Sequence, residues 1–182
     1  QAQSQLARAR QAATVAVSAP PPVSPAPAVQ TLDGRYQILA NGAEVKDLQT
    51  GLTWQRCSVG QRWSGSSCEG EAQKFEFDAA QAQAGNGWRV PTVRELHSLI
   101  QCSKGFKNTY DLKDGKGAVP DVCNDGSARP TIHTGAFPNT PTWYWTSSPL
   151  VGDSDLAWFV FFGSGDVYGY GRDGYSHVRL VR

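Results

Sequence analysis

Near the C-terminus, Tyr168, Tyr170, Arg172, Asp173 and Tyr175 are separated by Gly169, Gly171 and Gly174. Tyrosine offers rigid contact area at small entropic cost, and arginine holds sulfate or carboxylate through two parallel hydrogen bonds. This residue set therefore suits recognition better than bond-breaking. Trp143, which opens the run Trp143-Tyr144-Trp145, is a further candidate contact. The same segment also reads as a hairpin whose tyrosines merely cover a sheet. Gly169-Tyr170-Gly171-Arg172-Asp173-Gly174 is a literal match to the dinucleotide fingerprint, but that motif needs a following helix whose N-terminus meets the pyrophosphate. Here the chain continues through Tyr175 into strand-like sequence, so the match is accidental.

Other chemistry is sparse. Cys57, Cys68, Cys102 and Cys123 lack the ligand spacing of a zinc knuckle and form no Cys-x-x-Cys motif, so two local disulfides, Cys57–Cys68 and Cys102–Cys123, are expected. Such bridges imply an oxidising compartment. Asp111, Asp114, Asp121, Asn124 and Asp125 supply hard oxygen donors that would suit calcium, yet the spacing of an EF-hand is missing and these residues are also common turn formers. No cofactor is otherwise expected. His97, His133 and His177 lie far apart, and no nucleophile elbow, zinc-protease helix or P-loop occurs.

The elements that must position these groups are short. Asn41-Gly42 predicts a hairpin between Tyr36–Leu39 and Glu44–Asp47, followed by a strand over Leu52–Gln55. Asp78 is the expected cap of a helix over Ala79–Ala84 that stops at Gly85. Thr92 and Glu95 form a capping box before Val93, Leu96, Leu99 and Ile100, one apolar stripe from which His97 falls off. Residues 102–142 read as a long excursion with little regular structure. Four strands are expected after it, and Leu156–Phe162, apolar at both alternate sets, should lie centrally. Trp54, Trp88, Trp145 and Trp158 are expected in the core, with Arg89, Glu95 and Arg179 as an ion-pair set.

Seventeen Lys+Arg against sixteen Asp+Glu leave a net charge of +1, which removes the footprint of a dedicated nucleic-acid binder. No apolar stretch is long enough to span a bilayer. Residues 1 to 30 differ from the rest: a Gln/Ala/Arg-rich start is followed by Pro20, Pro21, Pro22, Pro25 and Pro27, a polyproline-like spacer. They read as a stalk or linker, or as a disordered leftover, ahead of one globular domain over 31–182. Met is absent, so a removed signal peptide or anchor upstream is an expectation.

Five ordered strings carry a resemblance: Asp47-Leu48-Gln49-Thr50-Gly51-Leu52-Thr53-Trp54-Gln55, Gly87-Trp88-Arg89-Val90-Pro91-Thr92-Val93-Arg94-Glu95-Leu96, Tyr144-Trp145-Thr146-Ser147-Ser148, Trp158-Phe159-Val160-Phe161-Phe162-Gly163 and Val178-Arg179-Leu180-Val181-Arg182. Over about residues 34 to 182 the chain resembles the DUF1566 family, the domain at the C-terminus of the Legionella collagen-like adhesin. The resemblance implies an α+β, C-type-lectin-like fold with two helices flanking a mostly antiparallel, disulfide-stapled sheet. It also implies bacterial export and, for the best-known relative, adhesion through sulfated glycosaminoglycans. Because that fold hosts both catalysis and binding, three functions stay open. The leading one is an exported, non-enzymatic adhesion domain, periplasmic or at the cell surface, that recognises a glycan or surface protein. The second is a minor pilin or other surface-assembly subunit, and the third an enzyme related to formylglycine-generating oxidases, which needs free thiols.

Overall fold

A computed structural model describes residues 30–39 and 41–182, so the stalk expected over residues 1 to 30 lies outside the described residues except for Gln30. Strand alternation builds the first sheet. In Glu44-Val45-Lys46-Asp47, Val45 and Asp47 point inward and Lys46 outward, the two-residue period of a strand with one wet face. Strands β1 (Thr31–Leu32), β2 (Tyr36–Ile38), β3 (Glu44–Asp47) and β4 (Thr53–Gln55) pair antiparallel in that order. The expected hairpin is thus present, with Gly42 at φ 70° in its turn, a left-handed conformation that glycine adopts without penalty. Buried Asp47 is held by the Arg35 guanidinium at 3.1 and 2.7 Å.

A short hairpin, β5 (Arg62–Trp63) and β6 (Cys68–Glu69), follows and is tied back by Cys57–Cys68. Then come β7 (Lys74–Phe75), α1 (Phe77–Gln81), α2 (Val93–His97), β8 (Phe106–Asp111), β9 (Ala118–Cys123), β10 (Trp143–Pro149), β11 (Leu156–Phe161), β12 (Asp166–Gly171) and β13 (Ser176–His177). Five of these form the principal sheet in the order β12-β11-β10-β13-β7, with β10 and β13 parallel and the other pairs antiparallel. Strand β11 is covered on both faces, as its doubly apolar pattern requires. Ala157 and Phe159 pack with Phe77, Ala80, Trp145 and Val178. On the other face, Trp158 packs with Leu112, Val119 and Val167, and Val160 meets Tyr36, Val45 and Trp54 from the first sheet.

The architecture is therefore predominantly β, and the α+β, C-type-lectin-like arrangement with two flanking helices is not found. Each helix is only five residues long. The capping box of α2 is present, with the Thr92 side chain accepting from the Glu95 amide and the Glu95 carboxylate accepting from the Thr92 amide. The helix nevertheless stops, because the Ser98 hydroxyl turns back on the Glu95 carbonyl and the next residues pair with another segment: Gln101 donates to Thr131, and Ile100 bridges Ile132. Leu99 and Ile100 are buried as the stripe required, but from extended backbone. In α1 the cap is Glu76, without a side-chain bond, and Asp78 sits in the first turn. Gly85 does not end a helix but forms a tight turn with Trp88, each donating its amide to the other's carbonyl.

The excursion over 102–142 also holds more structure than its composition suggests. Strands β8 and β9 pair over most of their length, and Cys102–Cys123 closes their base. Its pattern was masked by exposed polar residues on β8, where the apolar anchor comes from outside: the Tyr110 ring stands edge-on to Trp158 at 5.5 Å. Of the four tryptophans placed in the core, Trp54, Trp145 and Trp158 are buried, whereas Trp88 is half-buried beneath the Arg182 guanidinium at 4.4 Å. Arg89 and Glu95 form a bidentate pair, but Arg179 stands apart from it. Fully buried, Arg179 donates to the carbonyls of Gln55 and Arg56 and to the hydroxyls of Thr140 and Tyr144, and lies over the Phe137 ring.

Candidate functional site

The site begins with register. Because Trp143 faces Phe161, Trp145 faces Phe159, Phe159 faces Tyr168 and Ala157 faces Tyr170, a row of aromatic side chains emerges on one side of the principal sheet. Trp143 stacks on Phe161 with centroids 3.7 Å apart and on Phe159 at 5.1 Å. From the other side of Phe159, Tyr168 and Tyr170 tilt against it at 5.7 and 5.2 Å. Phe159 is 4% exposed and forms the floor, while Trp143, Tyr168, Tyr170 and Tyr175 keep 39%, 45%, 45% and 61% of their surface open. With Lys74, Gly169 and Ser176 they enclose a cleft of about 520 Å³. Large apolar side chains left this open are unusual unless they meet something.

Glycines make this arrangement possible by leaving room for rings. A Cβ on Gly174 would stand 2.0 Å from Tyr170 Cε1, and one on Gly163 would stand 2.2 Å from Phe161 Cζ. Neither residue has a left-handed φ, so close approach, rather than turn geometry, is the reason for glycine. Gly169 makes room on the opposite side for Leu150, whose Cδ1 would lie 2.4 Å from such a Cβ.

Hydrogen bonds fix two of the phenols. The Tyr168 hydroxyl donates to Asp166 Oδ2 at 2.8 Å, and burial together with this bond pushes its pKa up to about 12. The Tyr175 hydroxyl donates to Glu76 at 2.7 Å, a bond that raises its pKa. Beneath Trp143, whose carbonyl accepts from the His177 ring at 3.0 Å, burial lowers the His177 pKa and the Lys74 charge lowers it further. The imidazole is thus a neutral donor that fixes the tryptophan's backbone. Lys74, exposed at the sheet edge, forms no ion pair with another described residue. The cleft therefore presents aromatic faces, an ammonium group and the unengaged Tyr170 hydroxyl, while the nearest carboxylates are occupied by phenols.

Four of the six residues expected to make contacts, Trp143, Tyr168, Tyr170 and Tyr175, come together in this cleft. Arg172 and Asp173 do not line it. Arg172 turns towards α1, pairing with Asp78 at 2.5 Å and lying over the Phe77 ring at 4.5 Å, so it fastens the end of β12 to that helix. Asp173 is exposed beside Gly171. Lys74, Phe159 and Ser176 were missed. The alternation of Lys74-Phe75-Glu76-Phe77 is a weak strand signal, but nothing local indicates that β7 joins the sheet through β13, about a hundred residues later in the chain.

The oxygen-rich residues of the excursion have separate duties. Asp114 accepts from Arg94 and its pKa falls to about 2; Asp125 pairs with Lys107; Asp111 binds the Lys113 amide and ammonium; Asn124 donates to the Lys104 carbonyl. Asp121 accepts from the Val167 amide at 3.2 Å. Among the described residues no three His, Cys, Asp or Glu side chains converge as a metal site would require.

Residues 43–182, over three quarters of the chain, match the Lcl C-terminal domain family. The chain belongs to that family. Comparison with curated proteins and with solved structures gave no match. The match covers all of the principal sheet, so the aromatic cleft lies wholly within the Lcl C-terminal domain. Among the described residues no helix is long and apolar enough to cross a membrane, and all four cysteines are bridged.

Proposed function

We propose that this Lcl C-terminal domain is a non-enzymatic adhesion module, exported from the cytoplasm, that binds a glycan or a surface protein in the aromatic cleft. The observation that carries the reading is the convergence of Trp143, Tyr168, Tyr170 and Tyr175 around a buried Phe159 floor, beside the Lys74 ammonium. Aromatic faces of this kind stack on the apolar face of a sugar ring or on protein side chains, and Lys74 supplies a point charge for an acidic substituent. Two disulfides fit an oxidising compartment. The oxidase alternative would need a thiol, and each cysteine sulfur is already bonded. The surface-assembly alternative rested on N-terminal residues outside the described chain. We assign no cofactor.

A glycan array probed with the parent protein and with Tyr170→Ala tests the reading. Retention of a defined subset of glycans by the parent, lost in the variant, supports it. Equal retention by both would place the contact surface elsewhere.

A further inference from the structure

The cleft is rich in hydrogen-bond donors and poor in free acceptors. The Trp143 indole N–H, the Tyr170 hydroxyl and the Lys74 ammonium donate to no other described residue, whereas Glu76 and Asp166 already accept from Tyr175 and Tyr168. A ligand made for it offers acceptors and flat apolar surface and needs no donor. A polyproline-II strand has these properties, since its carbonyls face outward unbonded, proline has no amide N–H, and its rings pack between aromatic side chains. The chain contains one such sequence: Ala19-Pro20-Pro21-Pro22-Val23-Ser24-Pro25-Ala26-Pro27-Ala28-Val29, with no charged residue. Pro22 and Pro25 are three residues apart, the repeat that puts two prolines on one ridge of that helix.

Tethering favours this occupant over an outside one. Pro27 is three residues from Gln30, the first described residue. In polyproline-II geometry the ten steps from Pro20 to Gln30 span about 31 Å at roughly 3.1 Å each, which compares with a radius of gyration of about 15 Å for a domain of this size. A short tether also gives an effective concentration on the order of millimolar, enough to populate even weak docking.

We propose that the Pro20–Pro27 segment docks intramolecularly in the aromatic cleft, between Trp143 and the Tyr168/Tyr170 pair, as an internal competitor for whatever else that cleft binds. The docking does not depend on the adhesion reading, because its test contains no glycan. The experiment compares the full chain with a variant in which Pro20, Pro21, Pro22, Pro25 and Pro27 are all replaced by Ser, both at low micromolar concentration. It reads the Trp143 indole resonance, assigned with Trp143→Phe, and titrates in a synthetic peptide of residues 19–29. The expected result is a shifted indole resonance in the variant. The peptide should return that resonance towards its parental position, and the parent should bind the peptide at least tenfold more weakly. Coincident spectra, no peptide binding up to millimolar, or a difference that disappears on dilution and so belongs to a second copy would each overturn the proposal.

Discussion

Replacing Gly174 with Ala adds one methyl group at a point where Tyr170 Cε1, Cζ and Cδ1 would lie 2.0, 2.8 and 2.9 Å away. Real contacts of that length do not persist, so the tyrosine ring must move. Its present position is secured by Phe159 at 5.2 Å and Trp145 at 5.9 Å, aromatic pairs worth about 0.5–1.5 kcal/mol each, and overpacking in general costs about 1–3 kcal/mol. Because the ring is nearly half exposed, it can swing into solvent without rearranging the core, and alanine also recovers about 0.4–1 kcal/mol of unfolded-state entropy at this ordinary φ. The net cost is expected near 1 kcal/mol, or about 2–4 °C in the thermal midpoint of a domain this size. Denaturant unfolding measures the cost, and near-UV circular dichroism reports loss of the coupled aromatic signal. The decisive comparison is a double-mutant cycle. In a Tyr170→Ala background there is no ring to displace, so Gly174→Ala should cost nothing or stabilise slightly. An equal penalty in both backgrounds would refute the argument that Gly174 exists to seat Tyr170.

Other expectations follow from packing and charge. Trp158→Ala should lose about 3–5 kcal/mol in denaturant unfolding, because the indole fills the space between β11 and the β8–β9 hairpin. Arg179→Ala should cost a similar amount, roughly 3–5 kcal/mol, by leaving buried acceptors at Gln55, Arg56 and Thr140 without their donor, whereas Lys74→Ala at the exposed sheet edge should stay within about 0.5 kcal/mol. Burial, and secondarily the Asp166 charge, raises the pKa of Asp121, so the folded state holds this proton more tightly than the unfolded chain. Its contribution is complete below the ordinary carboxylate pKa and is lost as pH rises through the raised value. Stability profiles from pH 3 to 7 should therefore show the parent losing ground against Asp121→Asn across that window, and parallel profiles would contradict it. Reducing either disulfide should cost about 3 kcal/mol in the loop-entropy model, read from the urea midpoint with and without reductant.

What the sequence disclosed was set by the range of the forces involved. Local signals held: the Asn41-Gly42 hairpin, the Thr92/Glu95 capping box and the doubly apolar β11 all depend on neighbours a few residues away. The helices were overestimated because Leu99 and Ile100 have helical spacing, yet pairing with Thr131 and Ile132 outweighs that weak preference. The β8–β9 hairpin was overlooked because its strands bury only alternate residues of β9 and its outer strand is nearly all polar. For the site, the tyrosines could be found from their glycine-separated spacing, but the reason for the glycines could not. Which ring needs the space above Gly174 or Gly163 depends on register between strands. Arg172 looked like a contact residue for the same reason that it is an anchor: a guanidinium pairs with any carboxylate it reaches, and the nearest is Asp78, more than ninety residues earlier.

The claim that the aromatic cleft is the contact surface is tested most directly by chemical-shift mapping with the glycan that the array retains most strongly. The account predicts that the largest shifts fall on the Trp143 indole and the rings of Tyr168, Tyr170 and Tyr175, with the Lys74 side chain joining them if the glycan is acidic. Shifts centred instead on the β8–β9 hairpin, or on the Arg172–Asp78 pair with the cleft unmoved, would contradict it.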